Sequence, residues 1–168
     1  ISPTLPVLQT DLDLTNSELA LVTSVYLFPA ALFALPTGIL ADRWGRRRVL
    51  GWSAIVFGIC GGLYIGISDS FLVFLSVRFV QGLAFAAILP LTITILGDTY
   101  RGLQLVRAQG YRMVATGLGE AVLPIIGGFL AAVRWDLAWT LQAAALPFGI
   151  VVLVFMEDSA SRTNQPIL

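Results

Sequence analysis

The sequence lacks two residue types on which much enzyme chemistry depends. Histidine and lysine are both absent from its 168 residues. Without histidine, the chain cannot supply a Ser-His-Asp triad, a His-Glu-x-x-His metal site or an imidazole general base. Without lysine, it has no P-loop lysine for nucleotide phosphates and no amine for a Schiff base. We therefore expect neither an enzyme nor a bound cofactor. The sequence does not support bound ATP as an energy source, whereas an ion gradient remains available.

Charge and cysteine are also scarce. Only 12% of the residues are charged and 57% are hydrophobic, with a mean hydropathy of +0.87. A soluble domain usually carries about twice that share of charge, so we expect the solvent of this chain to be a lipid bilayer. The net charge of zero offers no basic patch for nucleic acid. Lone Cys60 lies in an apolar run and is expected to act as a small hydrophobe.

Apolar runs separated by short polar segments divide the chain into six predicted spans. The first, about 1–12, is too short to cross a bilayer and is interpreted as the outer end of a helix that starts earlier. The other spans are predicted at 17–40, 49–67, 71–97, 109–133 and 137–156, and prolines at 29 and 36 are expected to bend the second. Residues 1–156 are thus expected to form an all-α transmembrane bundle, and 157–168 the start of a linker to a further part of the protein.

The distribution of arginine among the connectors predicts how these spans are oriented. Arg134 alone falls on one side, while seven arginines fall on the other: Arg43, Arg46, Arg47, Arg48, Arg101, Arg107 and Arg162. We expect the protein in a plasma membrane or a bacterial inner membrane. Because cytoplasmic loops are enriched in basic residues, the seven arginines are expected on the cytoplasmic side of that membrane. Five aromatic residues near predicted helix ends are expected at the membrane–water interfaces: Trp52, Tyr64, Tyr100, Trp135 and Trp139.

The connector between the second and third spans carries the most specific motif. It reads Gly38-Ile39-Leu40-Ala41-Asp42-Arg43-Trp44-Gly45-Arg46-Arg47-Arg48-Val49-Leu50. This string resembles the signature loop of the major facilitator superfamily of secondary transporters, Gly-x-Leu-Ala-Asp-Arg-x-Gly-Arg-Arg/Lys-x-x-Leu, at every fixed position. The resemblance implies a twelve-helix fold in which two six-helix bundles flank a central cavity. This chain would be the N-terminal bundle, and its partner would be the missing C-terminal six-helix bundle.

The resemblance also implies roles for residues of this loop. Asp42 would face helix ends of the other bundle, where an anion is favoured, and Arg46 would pair with Asp98. Gly38 and Gly45 would let backbones approach and turn sharply. The implied conformational latch, which holds the cytoplasmic side shut, comprises Gly38, Asp42, Arg43, Gly45, Arg46, Arg47 and Asp98. The alternative is that the basic loop only determines topology.

A second motif lies inside the fourth predicted span. The string Arg78-Phe79-Val80-Gln81-Gly82 resembles the family pattern Arg-x-x-Gln-Gly, and Arg78 and Gln81 share one helix face. A charge within a span is costly, so Arg78 should face a cavity or a partner. It could bind an anionic group or favour the charged form of a carboxylate that loads and releases a proton. The alternative is that its long side chain snorkels to the outer interface.

The fifth predicted span carries a carboxylate and a proline–glycine motif. Glu120 would be neutral much of the time at mid-membrane, because desolvation disfavours its charged form, and it is a candidate proton carrier or ligand for a cationic substrate. The alternative is a protonated glutamate bonded to a neighbouring helix. The segment Gly119-x-x-x-Leu123-Pro124-x-x-Gly127-Gly128 resembles the family's antiporter motif, except that Leu123 replaces a glycine. Pro124 with Gly119, Gly127 and Gly128 marks a bendable, closely packed segment.

The leading hypothesis is therefore a secondary transporter that works by alternating access and exports a small organic molecule in exchange for protons. The nearest alternative is a proton symporter or facilitator that takes up a sugar or another metabolite. An alternative of another class is a membrane pore or assembly protein without a transport cycle, against which the latch pattern and Arg78 argue. The expected partners are the bilayer, a small-molecule substrate and the C-terminal bundle, and no nucleic acid is expected.

Overall fold

The computed structural model describes residues 9, 14–66 and 70–156, which are almost entirely helical. The helices are α1 (Asn16–Leu32), α2 (Ala34–Trp44), α3 (Arg46–Leu63), α4 (Phe71–Thr99), α5 (Gly102–Val133), α6 (Trp135–Thr140) and α7 (Ala145–Phe155), with 3₁₀ turns at Tyr64–Gly66 and Leu141–Ala144. These ranges contain no β-strand, and the predicted all-α class is confirmed. The predicted first span, except Gln9, and the predicted linker at 157–168 lie outside the described residues.

The second predicted span consists of two helices, α1 and α2, whose axes differ by 48°. Pro36 lies in the first turn of α2, where its missing N–H and its ring prevent an α-helical bond back to Leu32. At the other end of α1, the Thr15 hydroxyl accepts a bond from the backbone N–H of Glu18, and the Glu18 carboxylate accepts one from the backbone N–H of Thr15. This reciprocal capping box determines where α1 begins.

A single residue, Gly45, connects α2 to α3. Its φ of 94° lies in a region that side chains other than glycine rarely adopt, so a fixed glycine in the motif has a backbone reason here. Gly38 behaves differently, because no described atom lies within 4 Å of the position that its Cβ would take. The expected close approach at Gly38 is therefore not found within the described part of this bundle.

Helix α3 lies at the centre of the bundle and packs against α4, α7 and the second 3₁₀ turn, while α1 packs on the other side of α4. Glycine permits the approach of α3 to α7: a Cβ at Gly58 would lie 2.7 Å from the backbone nitrogen of Leu146. A Cβ at Gly62 would meet no atom within 4 Å. Along α3, the close approach to α7 thus depends on Gly58 and not on Gly62.

Helix α5 is longer than predicted, and the sixth predicted span is interrupted. The expected polar loop over 98–108 is helical from Gly102 onward, because Leu, Gln, Arg and Ala in this stretch are good helix formers. The 3₁₀ turn at Leu141–Ala144 separates α6 from α7. By length and composition, α4, α5 and Asp136–Phe155 could each cross a membrane, and α1 with α2 could form a fourth, bent crossing. Helix α3, which begins with three arginines, falls outside this set.

Candidate functional site

The polar end of α2, α3 and α4 is held by one arginine and two aspartates. Arg46 at the start of α3 donates to Oδ1 of Asp42 through Nε at 3.2 Å and through Nη2 at 2.9 Å. Its Nη1 donates to the carboxylate of Asp98 at the end of α4. We call Asp42, Arg46 and Asp98 the latch cluster. It connects three helices, because Asp42 and Arg46 lie on either side of Gly45 and Asp98 comes from the far end of α4.

The latch cluster is open to solvent to different degrees. The exposed side-chain fractions are 64% for Asp42, 36% for Asp98 and 28% for Arg46. Partial burial by itself would lower the pKa of Arg46, but the hydrogen bonds that it donates to Asp42 and Asp98 and the charges of these carboxylates outweigh burial and raise that pKa. Solvent-exposed ion pairs contribute only about 0–1 kcal/mol each. The cluster therefore joins the helices through contacts that can be broken and formed again at small free-energy cost.

Two further arginines of the signature loop, Arg43 and Arg47, lie apart from this cluster. Arg47 donates through Nε to the carbonyl oxygen of Val152 at 3.2 Å and through Nη2 to that of Leu153. These carbonyls belong to the last turn of α7, and that of Val152 also accepts from the backbone N–H of Met156 at 3.3 Å. Arg43 lines a cavity on the outside of the connector and forms no ion pair with a described carboxylate. Within this bundle, the arginines of the motif thus have separate structural tasks.

Near the other end of α4, Arg78 is buried in a cage of aromatic rings. Its side chain is 6% exposed, and its Cζ lies 3.9 Å from the centroid of the Trp139 ring. Tyr26, Tyr64 and Phe74 place their ring centroids 5.4, 5.5 and 5.8 Å from the same atom. A guanidinium over aromatic faces is stabilised by their quadrupoles, and more so without water. Arg78 is thus held inside the bundle. The snorkelling alternative would instead require its guanidinium to be open to solvent.

Gln81 of α4 connects this cage to two further parts of the bundle. It is fully buried, and its Oε1 accepts from Nη1 of Arg78 at 2.9 Å and from the hydroxyl of Tyr64 at 3.1 Å. Its Nε2 donates to the carbonyl oxygen of Phe57 at 3.5 Å and to Oε1 of Gln142. Gln142 lies in the 3₁₀ turn between α6 and α7. The amide of Gln81 therefore uses both of its ends to hold α3, α4 and this turn together.

Two nitrogens of the cage, Arg78 Nε and Trp139 Nε1, have no hydrogen-bond partner among the described residues. Because buried donors normally find an acceptor, these two unpaired nitrogens mark a place where an additional polar group is needed. The adjacent Gly82 explains how α1 reaches the cage, because a Cβ there would lie 2.8 Å from Cγ of Pro29. The cage therefore combines a fixed cation, unused donors and a close helix contact.

Sequence reasoning found Arg78 and Gln81 but not the residues around them. Tyr64 and Trp139, which were expected at the membrane interfaces, are 0% and 5% exposed and pack against each other inside the bundle. Trp52 and Tyr100, for which the same was expected, are exposed. Tyr26 and Gln142 carried no local signal, although a polar Gln142 within an apolar span could have been weighed as a partner for another buried polar group.

The residues expected on α5 lie apart from both clusters. Glu120 is exposed, Pro124 is exposed within the helix, and Gly127 is buried. Gly119 and Gly128 are half-buried, and no described atom lies closer than 3.8 Å to a Cβ built at either position. Arg112 lies about two turns before Glu120 on α5, and its Nε donates to Oε1 of Gln109 at 2.8 Å. The structure therefore does not bring Glu120 to Arg78 within this bundle.

The two polar clusters lie near opposite ends of α4. From Arg78 to Asp98 the helix rises by about 30 Å, which is the thickness of the hydrocarbon core of a bilayer. Between them, the apolar core of the bundle includes Leu91 of α4, Leu50 of α3 and Val152 of α7. A buried cation on one side and an exposed ion-pair cluster on the other are thus separated by one membrane-sized apolar layer.

Comparison with known proteins places the chain in a family. A model of the Major Facilitator Superfamily matches residues 1–167. The multidrug transporter protein MdtP of Bacillus subtilis is 27% identical over 89% of the chain, and the bacillibactin exporter of the same species is 26% identical over 79%. The probable sulfoacetate transporter SauU of Cupriavidus necator is 28% identical over 98%.

The chain spans 27%, 35% and 39% of the lengths of these three relatives, in that order. The matched family is one of membrane transporters and not of enzymes, in agreement with the residue types that the sequence lacks. The all-helical architecture, the signature loop and the family match over 1–167 agree, and the chain belongs to the Major Facilitator Superfamily.

Proposed function

We propose that this chain forms the N-terminal half of a secondary transporter that exports a small organic molecule in exchange for protons by alternating access. The observation that carries this proposal is the latch cluster, in which Arg46 holds Asp42 of α2 and Asp98 of α4 at one end of the bundle. The names of two relatives, a multidrug transporter and a bacillibactin exporter, support export.

The latch cluster suits a connection that opens and closes. A permanent clamp would need buried, fully bonded charges, whereas these three side chains are partly exposed and each pair contributes little. Asp42, the most exposed of the three, is the member that could exchange Arg46 for a helix N-terminus of the other bundle. Arg43, Arg47, Gly38 and Gly45 would support this latch by topology and backbone geometry.

The Arg78 cage is proposed as the polar site at the outer end of the bundle. Among the described residues no carboxylate pairs with Arg78, so aromatic faces and Gln81 alone stabilise its charge. An anionic group that approached it would therefore gain a strong interaction in a setting of low dielectric constant. We propose that Arg78 and Gln81 either bind an anionic group of the substrate or favour the charged form of a proton-carrying carboxylate.

Helix α5 is proposed as the contact with the C-terminal bundle and the path of the proton. Large apolar side chains along it are exposed, including Leu118, Val122, Ile125 and Phe129. Glu120 lies in the same exposed stretch, where a second bundle would bury it and disfavour its charge. In this role, Glu120 would carry protons, and Gly119, Pro124, Gly127 and Gly128 would allow α5 to bend.

A symporter or facilitator is the second candidate. Leu123 occupies a glycine position of the antiporter motif, and it is 54% exposed, so the close helix approach that glycine permits is not available there. The relative SauU is named as a probable sulfoacetate transporter, without export in its name. A test of direction therefore has to separate these two candidates.

The experiment measures flux through the full-length protein in proteoliposomes in which all molecules have the same, known orientation in the membrane. Ethidium serves as the probe, with an imposed proton gradient and a protonophore control. Exchange predicts saturable ethidium movement against the direction of proton flow, and symport predicts movement with it. A flux that rises linearly with ethidium and ignores the gradient would contradict a transport cycle and favour a pore.

Sidedness is tested separately in intact cells with a Cys60→Ser background. We propose that the connector around Arg43–Arg48 lies in the cytoplasm of a plasma or bacterial inner membrane. An impermeant thiol reagent should then label Arg134→Cys and not Arg101→Cys. Both side chains are exposed, so a difference in labelling reports the side of the membrane and not burial. Labelling of Arg101→Cys from outside would contradict the proposed orientation.

A further inference from the structure

Helix α4 loses one backbone hydrogen bond along its length. Pro90 lies inside α4 and has no N–H group, so the carbonyl oxygen of Ala86, four residues earlier, is without its α-helical donor. Ala86 is buried, and a buried carbonyl group needs a partner. The hydroxyl of Thr37 in α2 lies 3.4 Å from this oxygen and donates to it. A side chain of one helix thus serves a carbonyl group that a proline in another helix leaves free.

The Thr37 hydroxyl has two acceptors within reach. The carbonyl oxygen of Ala34, in its own helix, lies at 3.0 Å, and that of Ala86 lies at 3.4 Å. A hydroxyl carries a single hydrogen and rotates to suit its acceptor. In α2, the N–H of Gly38 can also serve the Ala34 oxygen. Because Pro90 cannot serve Ala86 in this way, rotation of one O–H bond makes or breaks a needed connection between α2 and α4.

Two threonines add to the effect of the proline. The hydroxyl of Thr92 donates to the carbonyl oxygen of Ile88, and that of Thr94 donates to the carbonyl oxygen of Pro90, both at 2.6 Å. Such bonds from a side chain to the preceding turn compete with the backbone bonds and often bend helices. We call residues 86–94, which contain the proline and both threonines, the hinge segment. A helix with these features in one stretch bends more readily than a regular helix.

The two ends of α4 pack into different apolar clusters. One core cluster consists of Leu14, Val22, Tyr64, Phe74 and Trp139. The other consists of Ala41, Val49, Leu50, Ala87, Leu91, Ile95 and Val152. Along α4, the first cluster contains Phe74, and the second begins at Ala87, directly after the freed carbonyl group. The clusters share no residue, so each end of α4 has its own packing partners.

The break between α1 and α2 lies close to the hinge segment. The two helices differ by 48° in direction, and the break falls at Phe33, four residues before Thr37. Thr37 therefore connects two helices that are both interrupted near the same level. Beyond these interruptions, the latch cluster joins α2 to the end of α4 through Arg46. Helix α2 and the last turns of α4 thus form one unit, which the bond from Thr37 to Ala86 ties to the rest of α4.

We propose that the Thr37 hydroxyl is the switch of a hinge at which α2 and the last turns of α4 swing together against the rest of the bundle. With the hydroxyl on Ala86, α2 holds the hinge segment in place. With the hydroxyl on Ala34, the Ala86 carbonyl is released and the hinge segment bends. The part that this swing plays in opening the cytoplasmic side rests on the proposed function, whereas the hinge itself rests on the hydrogen bonds of this bundle.

The test is hydrogen–deuterium exchange of the full-length protein in detergent, read by mass spectrometry on peptides that cover the hinge segment. Thr37→Val removes the donor and keeps the shape of the side chain, while Thr37→Ser keeps the donor. Pro90→Ala gives the Ala86 oxygen a helical N–H. The matched control is Thr116→Val, because the Thr116 hydroxyl donates within α5, to the carbonyl oxygen of Arg112 at 3.0 Å.

Thr37→Val is expected to raise the exchange rate of the hinge segment about fivefold, which corresponds to the loss of one net hydrogen bond. Thr37→Ser and Thr116→Val should leave the rate within about twofold of that of the unsubstituted protein. In a Pro90→Ala background, Thr37→Val should have no effect, because the backbone then serves Ala86. An equal rise in both backgrounds would overturn the proposal, since Thr37 would then act through packing alone. An unchanged rate in Thr37→Val would overturn it as well.

If Thr37→Val does not fold, Pro90→Ala alone decides. Exchange of the hinge segment that becomes several-fold slower supports the hinge, and an unchanged rate contradicts it.

This measurement is independent of transport, because it is made in detergent without a gradient. The expected exchange rates together with absent ethidium flux would contradict the proposed function and leave the hinge standing. Normal flux together with an unchanged exchange rate in Thr37→Val would do the reverse.

Discussion

The guanidinium of Arg78 lies 3.9 Å from the centre of the Trp139 ring, although the two residues belong to different helices that are far apart in the sequence. This contact places a full positive charge in an apolar bundle without an ion pair to any described carboxylate. Aromatic quadrupoles and the oxygen of Gln81 stabilise it instead. We therefore expect transport to depend on the planar shape of the Arg78 guanidinium and not on its charge alone.

Arg78→Lys tests this expectation directly. An ammonium is a compact charge that cannot stack on Trp139 and bond to Gln81 in the same way as a planar guanidinium. We expect at least a tenfold loss of ethidium flux in proteoliposomes, with normal expression. Arg112→Lys on α5 is the matched control and should retain flux. Equal activity of Arg78→Lys and the unsubstituted protein would show that any cation suffices.

Gln142→Ala tests the bond that joins the 3₁₀ turn to Gln81. The variant leaves the buried Nε2 of Gln81 with the Phe57 carbonyl oxygen at 3.5 Å as its described acceptor. An unsatisfied buried donor costs about 1–3 kcal/mol, so the unfolding free energy in detergent should fall by about that amount. Gln104→Ala, at an exposed position of α5, should change it by less than about 0.5 kcal/mol. A stable Gln142→Ala protein would contradict the importance of this bond.

The α3–α7 contact predicts opposite outcomes for two glycines of one helix. A methyl group at Gly58 would lie 2.7 Å from the backbone of Leu146, which cannot rotate away, so Gly58→Ala should destabilise the bundle by about 1–3 kcal/mol. Gly62→Ala should be neutral or slightly stabilising, because nothing lies within 4 Å and alanine favours a helix. Thermal unfolding of both variants in one detergent measures the difference. Equal effects would contradict this packing.

Arg46→Gln should loosen the polar end of α2, α3 and α4. Without its charge, Asp42 and Asp98 lose their shared partner, and the two carboxylates lose the cation between them. We expect the alkylation rate of a reporter, Thr94→Cys in a Cys60→Ser background, to rise several-fold while ethidium flux falls. Arg101→Gln removes one charge from the same side and should change neither. An unchanged alkylation rate would contradict the latch.

Glu120→Gln tests the proton path on α5. If Glu120 carries the proton, its amide replacement should abolish the dependence of ethidium flux on pH, because a glutamine side chain cannot bind and release a proton. Downhill exchange of ethidium without a gradient should persist. Glu18→Gln, at the start of α1, is the control and should keep the pH dependence. A pH profile that is unchanged in Glu120→Gln would remove this role.

Several features of the fold could be predicted because they depend on local chemistry. Proline at 36 and glycine at 45 have backbone properties that do not depend on neighbours, and the structure has a bend and a left-handed residue at these places. The length of α5 could not be predicted from polarity, since Arg and Gln are both common in loops and good helix formers. Here helix propensity prevailed over the polar pattern.

The amino-acid sequence by itself determined the helical class, the apolar character of the bundle and its family, because composition, span length and a thirteen-residue motif are read along one chain. Only the tertiary structure decided which arginine does what. Arg43, Arg46, Arg47 and Arg78 are chemically identical, yet one lines a cavity, one holds two aspartates, one bonds to α7 and one is buried among rings. Their partners come from helices distant in the sequence, so only the packing of those helices brings each guanidinium to its place.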